Sequence, residues 1–170
     1  MATSTLIQKL EGTAFESSKT VPGSYTSVTT PDVSNRRQVE TFIAGATVVA
    51  GDWLQFDTSK SGANRVLTVI QASANGLGNP LVVGVCLGSA ESTGTLTAGS
   101  KINVIVSGYA ETANCAVATV NAAGIALTVE AAGAGQAVAM GAADVGPACG
   151  VSLATASASN VAPVWVFKRF

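Results

Sequence analysis

From residue 39 onward, short runs of Val, Ile and Leu alternate with clusters of Gly, Ser, Thr and Asn. Apolar β-branched runs of this length, bounded by turn residues, predict strands rather than helices. Val39–Ile43 reads as the first. Gly45 and the pair Gly51-Asp52 then mark turns. In the strand after Asp52, Leu54 and Phe56 share one face while Trp53 and Gln55 share the other. A polar turn over residues 57–64 leads to a strand over Arg65–Ile70, and a loop follows over residues 72–80. Further strands are predicted at Leu81–Leu87, Ile102–Val106, Gly124–Val129 and Val164–Arg169, with Trp165 and Phe167 on one face of the last. Residues 131–143 are rich in Ala, which favours helix, and in Gly, which opposes it by about 1 kcal/mol per residue, so they predict a loop with one helical turn. Many short strands with Gly-rich turns give an all-β fold, a β-barrel or sandwich.

Two stretches share a layout. Gly84-Val85-Cys86-Leu87 matches Gly150-Val151-Ser152-Leu153, and Ile102–Val106 matches Val164–Phe167. The offset is 66 residues for the first pair and 62 for the second. Recurrence of one supersecondary unit predicts two tandem related β units, 41–110 and 111–170, sharing one core.

Residues 1–40 differ in kind. Thirteen Ser or Thr residues lie between Thr3 and Ser34, with Pro22, Gly23 and Pro31 as breaks and only scattered apolar residues. Such a segment buries too little apolar surface to offset its ordering entropy alone. It is either a frayed tail or an extended N-terminal arm that orders on a neighbouring chain. Fully extended, it would reach about 130 Å. Ser24–Thr29, which contains Tyr25, has the β-branched content to add to a partner's sheet edge.

Charge sharpens the picture. The net charge is −1, which gives no reason to expect nucleic acid or an anionic membrane as partner. Charged residues make up 11% of the chain, against roughly 25% in typical domains. Between Thr112 and Phe167 only Glu130 and Asp144 are charged. A surface so poor in charge is either a Ser/Thr/Ala/Gly exterior or one covered by other chains. No run approaches the roughly 18 apolar residues of a membrane helix, and the N-terminus lacks the pattern of a signal peptide. Synthesis in the cytoplasm is expected.

The sequence contains no histidine, so every His-dependent base, metal site or triad is excluded. Asp52 and Asp57 flank one short strand and predict turn caps rather than an acid–base pair. Gly84–Gly88 is glycine-rich but lacks the Lys-Ser/Thr ending of a phosphate loop. Cys86, Cys115 and Cys149 match no zinc spacing and predict core thiols. No enzyme, cofactor or metal site is expected. The paired bases Arg36-Arg37 and Lys168-Arg169 are expected to be solvated, or else to meet acidic patches of a partner.

The succession AGATVVAGDWLQFDTS, RVLTVIQAS and PLVVGVCLGSAESTGTLTAGSKINVIVSGYAE resembles the small β-rich decoration, or cement, proteins of tailed-phage heads. The similarity rests on Ala44, Gly45, Val48, Gly51 and Asp52, on Val82–Val85, and on Ile102, Val104, Val106 and Gly108, covering residues 42–110. It implies a virion protein on the outer capsid surface. That protein would bind the major capsid protein, cement neighbouring subunits and associate as a homotrimer, without nucleic-acid or membrane partners. The arm and the second unit lie outside the shared pattern. The residues expected to meet partners are Tyr25, Arg36, Arg37, Trp165, Phe167, Lys168, Arg169 and Phe170. The other readings are a fibre, spike or surface-layer subunit, and a carbohydrate-binding module using Trp53 or Trp165 as a stacking platform.

Overall fold

The computed structural model describes residues 37–73, 79–89, 94–129, 135–142, 144 and 146–170. Tyr25, Arg36 and the rest of the expected arm up to that point lie outside this set. The compact unit comprises Val39–Phe170. The fold is all-β. Its strands are β1 (Arg37–Ala44), β2 (Val48–Val49), β3 (Trp53–Phe56), β4 (Thr68–Gln71), β5 (Val82–Gly88), β6 (Thr95–Leu96), β7 (Lys101–Asn114), β8 (Ala126–Val129), β9 (Ala137–Ala139), β10 (Gly150–Ser152) and β11 (Val161–Val166). One helical turn, α1 (Asn64–Leu67), precedes β4.

Strand pairing runs β1-β4-β3-β5-β7-β11-β10-β8-β9, and β1 also pairs with β7. The order β1-β4-β3-β5-β7 therefore returns on itself, closing a first ring. A parallel bridge between Cys115 and Ala137 brings β9 back beside the end of β7, so β7-β11-β10-β8-β9 forms a second ring. Closure removes the unpaired edges that open sheets must protect. The 14-residue strand β7 serves both rings.

Each ring has its own core. Phe42, Leu54, Val69, Val83, Cys86, Ile102, Val104 and Val106 form one cluster, and the short β2–β6 pair adds Val48 and Leu96. The second cluster contains Cys115, Leu127, Val129, Cys149, Val164 and Val166, together with Trp53, Val82, Val85 and Ile105 from strands of the first ring. Trp53 and Leu54 thus face different cores from adjacent positions, as strand alternation requires.

Two local breaks make this sharing work. Leu54 pairs with Gly84 but Gln55 pairs with Val82, so β5 carries an extra residue, Val83, that turns to the opposite core. In β7, Ile105 and Ala110 lie in one cluster despite an odd spacing. Between them Gly108 has φ 94°, a left-handed conformation that lets the strand change face.

Strands β5–β7 and β10–β11 form antiparallel pairs with matching registers, Val85 opposite Ile105 and Val151 opposite Trp165. In each pair a glycine packs against the partner's backbone. A Cβ on Gly84 would stand 2.0 Å from the Ile105 carbonyl oxygen, and one on Gly150 would stand 2.6 Å from that of Trp165.

Three expectations need correction. The segment over Arg65–Ile70 begins as α1, because residues 57–64 close a tight turn with Arg65 N–H bonded to Gly62 and Val66 N–H to Ala63. The described part of the Ala/Gly-rich stretch contains strand β9 and no helical turn. Its backbone pairs with β8 at Leu127–Val129, and that pairing outweighs alanine's helix preference. The last strand spans residues 161–166, Phe167 still donates its N–H to the Cys149 carbonyl, and residues 168–170 leave the sheet.

Candidate interaction surface

Asp52 ties the turn between β2 and β3 to the second ring. Its carboxylate accepts the Val49 N–H at 2.8 Å and the Gln71 side-chain N–H at 2.6 Å. Asn114 Nδ2 approaches its other oxygen at 3.5 Å, and Asn114 in turn accepts from Gln136. Asp57 accepts from the Ser59 hydroxyl and N–H and lies 3.7 Å from Lys60 Nζ, and the Ser59 hydroxyl above all holds its pKa below the ordinary value. Among the described residues both acids bond the groups of the turns and strands around them, as turn caps do.

The three thiols are free and buried. Burial pushes Cys115 and Cys149 up to about 12 and raises Cys86 as well. Trp53 is fully buried beneath Gly150. Its Nε1–H lacks a hydrogen-bond partner, although it lies near enough to Cys115 to favour that thiolate slightly. Among the described residues no cluster of His, Cys, Asp and Glu is placed to hold a metal ion, and no helix is long and apolar enough to cross a membrane.

What remains open is apolar surface. Val164 and Val166 point into the second core, so Trp165 and Phe167 point out, 37% and 40% exposed. The register extends this row sideways. Trp165 is opposite Tyr109 on β7 and Val151 on β10, and Val151 is opposite Ala126 on β8. Leu153, 43% exposed, lies beside Pro163 through a backbone hydrogen bond. Residues directly opposite on one face form a continuous surface, here apolar and aromatic with few charges near it.

The tail after β11 turns toward the first ring. Phe170 meets Phe56 edge-on with centroids 4.9 Å apart, and Phe56 meets Phe42 at 6.3 Å. Arg169 donates to the carbonyls of Asn79 and Pro147, joining loops that precede β5 and β10. It is therefore half-buried and clamped, not solvated as expected, and burial lowers its pKa. Lys168 remains exposed. Beside the tail opens a groove of about 380 Å³ lined by Phe42, Phe56, Val66, Val83, Val106 and Phe170.

The expected partner-binding residues that the structure describes fall in three places. Trp165 and Phe167 share the outer face of β11. Lys168, Arg169 and Phe170 rim the groove. Arg37 opens β1, half-buried. The groove walls escaped sequence reasoning because Phe42, Phe56, Val83 and Val106 look like ordinary core residues. One signal was present: Phe56 ends its strand and is followed by a polar turn, so nothing nearby in sequence covers its ring.

No family model and no curated sequence matches the chain. Solved structures do. A chain from the capsid of Myoviridae phage XM1 superposes with a TM-score of 0.54 at 18% identity, over 79% of this chain and 85% of that one. The fold is similar to one found in a phage capsid. At this identity the likeness is one of architecture, and it extends through both rings rather than the first alone, since 79% of 170 residues exceeds the length of either.

Proposed function

We propose that this protein is a structural virion component that binds the outer surface of a phage capsid and cements neighbouring major capsid subunits. The observation that carries the reading is the fold shared with a phage-capsid chain. The exposed row around Trp165 and Phe167 supports it, because an aromatic, weakly charged face is the composition of protein-binding surfaces. A repeated lattice lets modest contacts add across many subunits, so no single contact needs high affinity. In this reading the two β units act as one rigid body, residues 1–36 reach a neighbouring subunit, and the protein associates as a homotrimer at sites of local threefold symmetry.

Co-sedimentation with purified expanded capsids tests the reading. The full chain is expected to pellet with capsids to saturation. A variant lacking residues 1–35 should keep its β fold and bind more weakly. Failure of the full chain to bind any capsid from its source would refute the proposal. The carbohydrate-binding alternative loses one of its two platforms, since Trp53 is fully buried. Trp165 fluorescence that does not respond to glycans would remove the other.

A further inference from the structure

The first ring is closed along its sides, and buried side chains of its core line the groove. Phe42, Val83 and Val106 are core residues, and the same residues form the groove floor. Above them lies Phe170, 59% exposed, with one edge-on ring contact to Phe56. A ring on the groove wall that stays mostly in water, with an edge-on contact to Phe56, can be displaced at small cost. The volume of about 380 Å³ falls within the roughly 300–1,000 Å³ range of sites that take small organic groups.

The rim has a definite charge pattern. Among the described residues that line it, Lys168 and Arg169 are the cations and Glu40 is the one acid. Arg169 cannot swing away, because two of its nitrogens are bonded to the Asn79 and Pro147 carbonyls, while its Nε–H lacks an acceptor. A fixed cation beside an apolar pocket complements an apolar side chain carried next to a carboxylate.

We propose that this groove is an anchor pocket for the capsid protein. It receives one aromatic or branched apolar side chain adjacent to a carboxylate on an exposed segment of that partner, with Phe170 displaced. The choice of partner rests on the function proposed above; the pocket and its ligand chemistry do not. Interfaces concentrate their affinity in such buried anchors, so the groove would hold the protein in place while the β11 face adds area.

The test uses the full chain and two probes, 3-phenylpropionate and its neutral amide, followed by NMR of the valine methyl groups. The acid should shift the methyls of Val66, Val83 and Val106 at about millimolar concentration, and the amide should bind about tenfold more weakly. Phe170→Ala should tighten acid binding several-fold. Val66→Trp alters an exposed residue on the groove wall, so it should fold normally and exclude the probe. The absence of shifts at these methyls in both the parent and Phe170→Ala overturns the pocket.

Capsid co-sedimentation then tests the partner. Val66→Trp should weaken capsid binding about tenfold or more. Unchanged capsid binding by a variant that excludes the probe overturns the anchor and leaves docking through β11 intact. If the parent protein binds no capsid although the probe occupies the groove, the proposed function fails and the assigned occupant with it. Self-association that Val66→Trp abolishes would make the occupant a second copy and would likewise overturn the assignment.

Discussion

Gly84→Ala is the sharpest test of the two-ring architecture. Strand β5 approaches β7 so closely that a Cβ on Gly84 would sit 2.0 Å from the Ile105 carbonyl oxygen and 2.9 Å from its carbon. Carbon–oxygen contacts between strands normally sit at about 3.3 Å, so the two strands would have to part by about 1.3 Å. Both neighbours are backbone, and no side chain can rotate out of the way. Parting the strands weakens the ladder at Val85–Ile105 and Cys86–Val104, where both cores meet. One buried hydrogen bond lost at about 1–3 kcal/mol, plus overpacking strain of similar size, gives about 2–6 kcal/mol. That is a large share of the 5–15 kcal/mol typical of a domain. With a urea slope of about 2 kcal/mol per molar, the unfolding midpoint should fall by about 2 M. Gly99→Ala is the control. Its Cβ would meet nothing, so only the φ of +88° opposes it, at a cost of about 1–2 kcal/mol. Equal midpoints for Gly84→Ala and the parent would refute the close β5–β7 approach and the shared-strand fold built on it.

Other substitutions separate structural from functional roles. Trp53→Ala should cost about 3–5 kcal/mol as a buried large-to-small change, whereas Trp165→Ala, partly exposed, should cost about 1–2 kcal/mol and act mainly on capsid binding; calorimetry and co-sedimentation read the two effects. Asp52→Ala should destabilise by about 2–4 kcal/mol in denaturant titrations, because the Val49 N–H and the Gln71 amide both lose their acceptor. The thiols give an alkaline limit. Cys115 and Cys149 ionise near 9.0 when unfolded and near 12 when folded, so their contribution is complete below pH 9 and is lost as pH rises toward 12. Replacing both by Ala should flatten the fall in stability over that interval, and a thiol reagent should label the parent at pH 8 only after denaturation.

The parts of the fold visible in sequence were those set by local pattern. Val82–Leu87 and Ile102–Val106 announce strands through β-branched content, and Gly84 and Gly150 mark the repeated pairing because no other residue fits there. The hidden parts depended on partners distant in sequence. Ala137–Ala139 is a strand because β8 lies alongside it, and nothing in its own composition requires that. Strand β7 runs on to Asn114 because Gly108 lets it change face, which the pattern of Ser107-Gly108-Tyr109 does not reveal. The candidate surface was half legible. Alternation placed Trp165 and Phe167 outward once Val164 and Val166 were assigned to the core. The groove was not, because it needs Phe42, Phe56 and Phe170 to converge from positions that only closure of the first ring brings together.

If the protein tiles a capsid as proposed, its copy number in purified virions will show it. Quantitative mass spectrometry against the major capsid protein should give a ratio near one to one. A handful of copies per particle, or none, would rule out tiling and return the protein to the fibre, spike or carbohydrate-binding readings.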